Sequence, residues 1–156
     1  MILRMLMIAL SLLLLAGPSH ADDKDKLLGT WKLLSAVDED VATKQRIQVY
    51  GAHPDGYMVF APDGRFFEVL TADGLPQTKQ ERDLISMSAY AGKYWLEGDK
   101  FIIKVDATSN EAWKDTDQVR SFRIDGNKLY IESEPFSAPS FGGSMVRGLL
   151  VWERAN

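Results

Sequence analysis

The stretch Gly56–Leu70, GYMVFAPDGRFFEVL, decides the fold. Two short runs rich in aromatic and β-branched residues flank Pro62-Asp63-Gly64, where proline presets the first turn dihedral and glycine allows a positive φ. This combination predicts a β-hairpin. Runs of the same kind, separated by turn residues, follow along the chain, so the sequence predicts a domain built mainly from short antiparallel strands.

The strand candidates share a length of about five to eleven residues and are bounded by Gly, Asp, Asn or Pro. They are Gly29–Val37, Arg46–Tyr50, Gly56–Ala61, Arg65–Leu70, Lys93–Glu97, Lys100–Asp106, Gln118–Ile124, Lys128–Ser133 and Ser144–Arg154. Tight turns at Gly98-Asp99 and Asp125-Gly126-Asn127 predict two further hairpins.

One helix is predicted among these strands. Thr78 and Glu81 match a capping box, in which each side chain satisfies a free backbone amide of the first helical turn. Leu84, Met87 and Ala91 follow at helical spacing, and Gly92 is a typical helix end. The helix is expected either to form a lid over the mouth of a barrel or to fill one end of it.

Composition excludes several classes of chemistry. The 156 residues are 46% hydrophobic and 26% charged, which is typical of one globular domain and not of a disordered chain. Cysteine is absent and there are two histidines, His20 and His53, so disulfides, thiolate chemistry and a histidine pair in the folded domain are excluded. His53 lies in a predicted turn. We therefore assign no catalytic residue, no metal site and no cofactor.

Residues 1–21 have the composition of a secretory signal peptide. Arg4 supplies the positive start, and the apolar run Met5–Ala16 is too short to span a bilayer, which needs about 20 residues. Ser19-His20-Ala21 places small residues where a signal peptidase reads, so we expect cleavage before Asp22. The alternative is an uncleaved anchor. Cleavage predicts a periplasmic or secreted domain over residues 22–156.

The charge pattern argues against two kinds of partner. The net charge is −4, and the basic residues are scattered along the chain. An acidic protein without a basic stripe has no electrostatic attraction to nucleic acid or to anionic lipid. We therefore expect no nucleic-acid partner and no membrane association after cleavage. The acidic run Asp38-Glu39-Asp40 is expected to lie in a solvated loop.

Alternation along the strands separates an inward from an outward face. The face that carries Phe122 and Ile124 also carries Arg120. A β-sandwich core is filled mainly with aliphatic side chains, whereas a barrel of about eight strands accepts inward aromatic and polar groups. A barrel is favoured because the residues predicted to point inward include Trp31, Tyr94, Arg120 and Trp152.

An inward arginine is costly unless it is paired or solvated. Arg120 is interpreted in two ways. It anchors the carboxylate or carbonyl of a ligand held in the barrel, or it forms a structural salt bridge or a cation–π contact.

Ordered motifs along the chain resemble one family, the lipocalin-like domain family of bacteria and fungi. They are Leu28–Leu33 (LGTWKL), Gly56–Phe66 (GYMVFAPDGRF), Ala89–Tyr94 (AYAGKY), Gln118–Phe122 (QVRSF) and Leu150–Arg154 (LVWER). The resemblance implies an antiparallel β-barrel with one closed and one open end. It implies that Arg154 stacks on Trp31 at the closed end. It also implies that the open end is lined by Tyr57, Tyr90, Tyr94, Trp113 and Arg120.

The sequence therefore predicts an all-β, lipocalin-like barrel that binds a small hydrophobic or amphipathic molecule. Two alternatives stay open. One is a barrel enzyme that catalyses an isomerisation or cyclisation, with tyrosine or arginine polarising a carbonyl. The other is an interaction module with a filled barrel, which would use a surface around Phe136 and Phe141.

Overall fold

The computed structural model describes residues 20–74, 87–138 and 141–155. Helix α1 covers His20–Leu27, and a 3-10 turn covers Glu111–Trp113. The strands are β1 Gly29–Asp40, β2 Arg46–Ile47, β3 Asp55–Phe60, β4 Arg65–Thr71, β5 Met87–Glu97, β6 Lys100–Thr108, β7 Asp117–Asp125, β8 Lys128–Ser133, β9 Phe136–Ser137 and β10 Met145–Arg154.

The long strands close into an antiparallel barrel. Their order is β1-β3-β4-β5-β6-β7-β8-β10, and β10 pairs back onto β1, so eight strands form the wall. The short strands β2 and β9 add to β1 and β10 beyond the closure. A closed sheet has no free edges and encloses one interior face, which is the barrel predicted above.

The two ends of the barrel differ. Gly29 lies opposite Phe60, and the Arg154 amide donates to the Asn127 carbonyl 2.8 Å away. These contacts place the start of β1, the β3–β4 turn and the β7–β8 turn at one end, together with α1; this is the closed end. The opposite end, where Thr71 and Ser133 end their strands, is called the open end.

Aromatic side chains fill the half of the barrel next to the closed end. The Phe60 ring lies edge-on to Phe66, Tyr94 and Phe101, with centroids 5.2, 5.1 and 5.1 Å away. The side chains that are fully buried include Trp31, Trp152, Phe60, Phe66, Phe101 and Met58. This apolar core supplies most of the stabilisation, at about 25 cal/mol per Å² of apolar surface removed from water.

The helix predicted after Thr78 is wrong in its second half. Met87, Ala91 and Gly92 belong to β5, whereas Thr78, Glu81 and Leu84 lie outside the described residues. The pairing of β5 with β6 shifts between Ala91 and Gly92, and a Cβ at Gly92 would overlap the Lys104 carbonyl oxygen. Gly92 therefore permits a β-bulge and does not end a helix.

Two smaller expectations also fail. Glu39 and Asp40 are buried at the end of β1, where Arg46 and Arg147 bind the Glu39 carboxylate and backbone amides bind Asp40. The acidic run is therefore not a solvated loop. Phe136 lies in none of the predicted strands, but it forms the short strand β9 and is exposed.

The predicted signal peptide, residues 1–21, lies outside the described part of the chain except for His20 and Ala21, which begin α1. Within the described residues, no helix combines the length and the apolar composition that a membrane span requires.

Candidate functional site

Trp31 on the first strand and Arg154 on the last strand are in contact at the closed end, as the resemblance implied. The Trp31 indole is fully buried and donates from Nε1 to the Leu27 carbonyl at 2.9 Å. The Arg154 guanidinium carbon lies 4.2 Å from the centroid of the Trp31 ring, and its Nη1 donates to the Leu28 carbonyl at 2.8 Å. These two residues therefore join the first and last strands at the closed end of the barrel.

Arg120 points into the barrel, as the alternation of β7 predicted. Its register partners are Phe101 on β6 and Ser133 on β8, both buried on the interior face. The half-buried side chain donates to the Val119 carbonyl at 2.8 Å and to Gln118 Oε1 at 3.2 Å. Among the described residues, it forms no ion pair within 4.0 Å, so its charge is only partly compensated.

Glu68 is the second charged group on the interior face. It lies on β4 between Phe66 and Leu70 in the alternation, and its register partners are Met58 and Tyr90. Burial raises the pKa of this carboxyl to about 7, and the opposite charge of Arg120 counteracts part of that rise. The carboxyl therefore changes charge near neutral pH.

Tyr90 links these two charges. It lies on β5 opposite Glu68, is only 4% exposed, and its hydroxyl is hydrogen-bonded to Arg120. Burial is the largest cause of a raised pKa of the hydroxyl, and Glu68 adds to it. The Trp113 ring stands edge-on to Tyr90, with centroids 5.3 Å apart and an interplanar angle of 81°.

Two further groups extend the polar cluster toward β1. Burial raises the pKa of Tyr50 to about 12, and the charges of Glu68 and Asp38 add to that rise. A hydrogen bond with Ser88 lowers the same pKa and offsets part of the rise. Asp38 lies opposite Gly148 on the part of β1 near the open end, and burial raises the pKa of its carboxyl to about 6. Among the described residues, the open half of the barrel thus brings Arg120 together with the carboxyls of Glu68, Asp38 and Asp40 and the phenols of Tyr90 and Tyr50, above an aromatic floor.

The comparison with family models agrees with this architecture. The family model of the lipocalin-like domain matches residues 28–155. The chain belongs to the lipocalin-like domain family. No curated protein matches the chain significantly. Among solved structures, an uncharacterized protein from Bacteroides eggerthii is similar, with 16% identity and a TM-score of 0.43 over 83% of this chain and 99% of that one.

The lipocalin-like barrel brings together three of the five residues expected to line its open end. Arg120, Tyr90 and Trp113 form the cluster described above. Tyr94 also points inward, but it lies in the aromatic floor, where its hydroxyl donates to the Ala61 carbonyl at 3.3 Å. It therefore lies nearer the closed end than the polar cluster.

The expectation that Tyr57 lines the interior is wrong. Tyr57 lies between the inward residues Gly56 and Met58 and is 49% exposed on the outer wall. There it borders an apolar groove of about 420 Å³ that Val59, Phe67, Val69, Ala89, Ala91 and Ala107 also line. The family resemblance does not say which side chains of this strand point inward. Alternation from the buried Met58 places Tyr57 on the outer face.

Glu68 was missed at the sequence level, although a signal for it exists. It follows Phe66 and precedes Leu70 at a spacing of two, so a buried Phe66 places Glu68 inside. Asp38 was assigned to the solvent for a different reason. The pairing of β1 with β10 shifts between Leu33 and Ser35, and this irregularity cannot be read from alternation.

The described residues of this lipocalin-like barrel contain no cluster of three or more His, Cys, Asp or Glu side chains suited to a metal ion. His53 is exposed in the loop before β3. The chemistry that the arrangement offers is hydrogen bonding to a carbonyl or carboxyl group from Arg120 and Tyr90, beside a carboxyl that titrates near pH 7.

Proposed function

We propose that this lipocalin-like protein binds a small, mostly apolar molecule through the open end of its barrel. The apolar body rests against Trp113 and the aromatic floor, and a polar head group meets Arg120 and Tyr90. The observation that carries the proposal is the inward Arg120 guanidinium near the Tyr90 hydroxyl, with no ion pair within 4.0 Å among the described residues.

The energetics of such a complex divide into two parts. Burial of apolar ligand surface supplies most of the affinity, at about 25 cal/mol per Å² before the costs of association. The few polar groups fix the orientation of the ligand, because a buried donor that finds no acceptor costs about 1–3 kcal/mol. A ligand with a carbonyl, carboxyl or hydroxyl head satisfies Arg120, whereas a pure hydrocarbon does not.

A titration with a matched control tests the proposal. Protein beginning at Asp22 is titrated with a panel of lipophilic acids, ketones and alcohols, and tryptophan fluorescence is followed because Trp113 borders the site. We expect a saturable change with at least one class. Arg120→Gln should weaken that affinity by about tenfold, the loss expected for one charge-assisted hydrogen bond.

Arg123→Gln is the matched control for this experiment. Arg123 lies on the same strand but on its outward face, stacked 4.1 Å from the centroid of the Tyr130 ring. Its loss should leave ligand affinity unchanged. Equal losses in the two variants, or no saturable response to any member of the panel, would contradict a site at Arg120.

Glu68 favours a second candidate function, proton transfer next to a carbonyl. A carboxyl whose pKa is about 7 can accept a proton at neutral pH, and Arg120 with Tyr90 can stabilise the developing enolate oxygen. The test is exchange of α-protons into D₂O, followed by NMR, for ketones that the protein binds. Exchange that Glu68→Gln abolishes would support an isomerase; exchange at the rate of free ketone would contradict it.

We also propose that the protein is exported and cleaved before Asp22, because residues 1–21 have the composition of a signal peptide. The full-length chain is expressed in a Gram-negative host with an intact secretion system. Intact-mass analysis of the periplasmic fraction should give the mass of a chain that begins at Asp22. A full-length mass in the membrane fraction would instead indicate an uncleaved anchor.

A further inference from the structure

The interior of the open half carries an imbalance of charge. Among the inward faces of the described strands in the open half, Arg120 is the cation, and Glu68, Asp38 and Asp40 are the carboxyls. When all three carboxyls are ionised, this set has a net charge of −2, so a further anion brought to Arg120 meets repulsion. When Glu68 is neutral, the same anion meets one negative charge fewer near Arg120.

We propose that Glu68 selects the charge of the ligand head group. An anionic head binds at Arg120 more tightly when Glu68 carries a proton, whereas an uncharged hydrogen-bonding head binds without proton uptake. This inference rests on the proposed function, since it concerns the same ligand site. At neutral and alkaline pH the expected ligand is an apolar molecule with an uncharged oxygen-bearing head.

The groups that face Glu68 come from four directions. On β3 its neighbour is the apolar Met58, and on β5 it faces Tyr90. From β7, the positive charge of Arg120 lowers the pKa of Glu68. The Tyr50 hydroxyl lies near enough for the charge of Glu68 to raise the hydroxyl's pKa. Asp38 acts on Tyr50 from β1 but has no resolved effect on Glu68. Among the described residues, Arg120 is therefore the charge that controls Glu68.

The direction of the pH effect follows from linkage. A bound anion at Arg120 destabilises the ionised form of Glu68 and raises its pKa further above the value of about 7 in the free protein. Binding of the anion therefore takes up a proton, and its affinity must rise as the pH falls through about 7. An uncharged head exerts no such effect, so its affinity stays level across the same range.

Two dyes with one skeleton separate these cases. Anilinonaphthalene sulfonate is a permanent anion, and phenylnaphthylamine is the same ring system without the sulfonate. Their dissociation constants are measured by dye fluorescence from about pH 5.5 to about pH 8.5. We expect the sulfonate to bind roughly tenfold more tightly at the acid end, as for a pKa displaced by about 1. The uncharged dye should change less than about twofold.

Variants then assign the effect. Glu68→Gln should bind the sulfonate at every pH with the affinity that the wild type has at acid pH. Glu153→Gln, on the outward face of β10, should keep the wild-type pH dependence. Phe67→Ser alters the apolar groove outside the barrel and should also leave both dissociation constants unchanged, which would show that the dyes bind inside.

A measurement on the wild-type protein alone tests the inference even if Glu68→Gln fails to fold. Calorimetry of the wild type near pH 7 in buffers of different ionisation enthalpy counts the protons taken up on binding. Uptake with the sulfonate and none with the uncharged dye would support the inference. Sulfonate binding with no proton uptake and no pH dependence would overturn it and leave the proposed function standing. If neither dye binds at any pH and the ligand panel also fails, the proposed function itself is wrong.

Discussion

The Arg154 guanidinium carbon lies 4.2 Å from the centroid of the Trp31 ring, and the two residues are register partners across β1 and β10. The contact therefore joins the start of the first barrel strand to the end of the last one. Because the same guanidinium donates to the Leu28 and Lys26 carbonyls, it also fixes the end of α1 against the closed end of the barrel.

Arg154→Lys should lower the free energy of unfolding by about 2 kcal/mol, because an ammonium group neither stacks flat on the indole nor reaches both carbonyls. Urea denaturation measures this loss. Arg123→Lys is the matched control, since Arg123 also stacks on an aromatic ring but is exposed; it should cost less than about 1 kcal/mol. Equal losses would mean that burial of the Trp31 contact is unimportant.

Gly92→Ala should destabilise the barrel by about 3 kcal/mol, because its Cβ would overlap the backbone of Lys104 and close the β-bulge in β5. Gly98→Ala gives the comparison. Gly98 has φ 62° in an open turn with nothing near its Cβ, so alanine there should cost about 1 kcal/mol from backbone strain alone. Thermal unfolding of both variants gives the difference, and a larger loss at Gly98 would contradict the bulge.

Glu68→Gln should stabilise the protein above pH 7 and leave its stability unchanged near pH 4. The pKa of Glu68 is about 7 in the folded chain, above its usual 4.5, so the folded state binds more protons between these two values. The wild type therefore loses stability as the pH rises through this window, by about 2 kcal/mol after allowance for partial exposure. Glu153→Gln should show no such pH-dependent gain in denaturation curves at the two pH values.

Tyr90→Phe should weaken binding of a carbonyl ligand by about fivefold to tenfold, because it removes one hydroxyl next to Arg120. Tyr57→Phe removes an equivalent hydroxyl from the outer wall and should leave the affinity unchanged. Fluorescence titration of both variants distinguishes the two faces of the sheet. A loss confined to Tyr57→Phe would place the ligand in the outer groove.

Much of the fold follows from local sequence patterns. The turn residues at Pro62-Asp63-Gly64 and Asp125-Gly126-Asn127 fix two hairpins, and the apolar residues of β6, Phe101, Ile103 and Val105, all lie inside as alternation predicts. The helix after Thr78 was predicted to include Met87 and Ala91, which lie in β5. A spacing of four residues places Met87 and Ala91 on one face of either a helix or a strand. Backbone pairing with β4 and β6 makes this segment a strand.

The candidate site could be predicted only in part. Arg120 was recognised because its strand, β7, runs regularly, so alternation carries its position correctly. Tyr57 was misplaced because a family resemblance carries no information on strand phase, and Asp38 because β1 shifts register after Leu33. A shift by one residue exchanges the two faces of a strand, so small irregularities decide which groups reach the interior.

The sequence by itself determined most of the strands and the presence of a cation on an inward face, because turn chemistry and alternation are local properties; the pairing of Trp31 with Arg154 followed from the family resemblance. Only the tertiary structure decided that Glu68, Tyr90 and Arg120 meet, since they lie on three different strands whose curvature and register bring them together. The charge state of Glu68 is likewise a property of the closed barrel, because burial and the nearby guanidinium, and not the residue type, set its pKa.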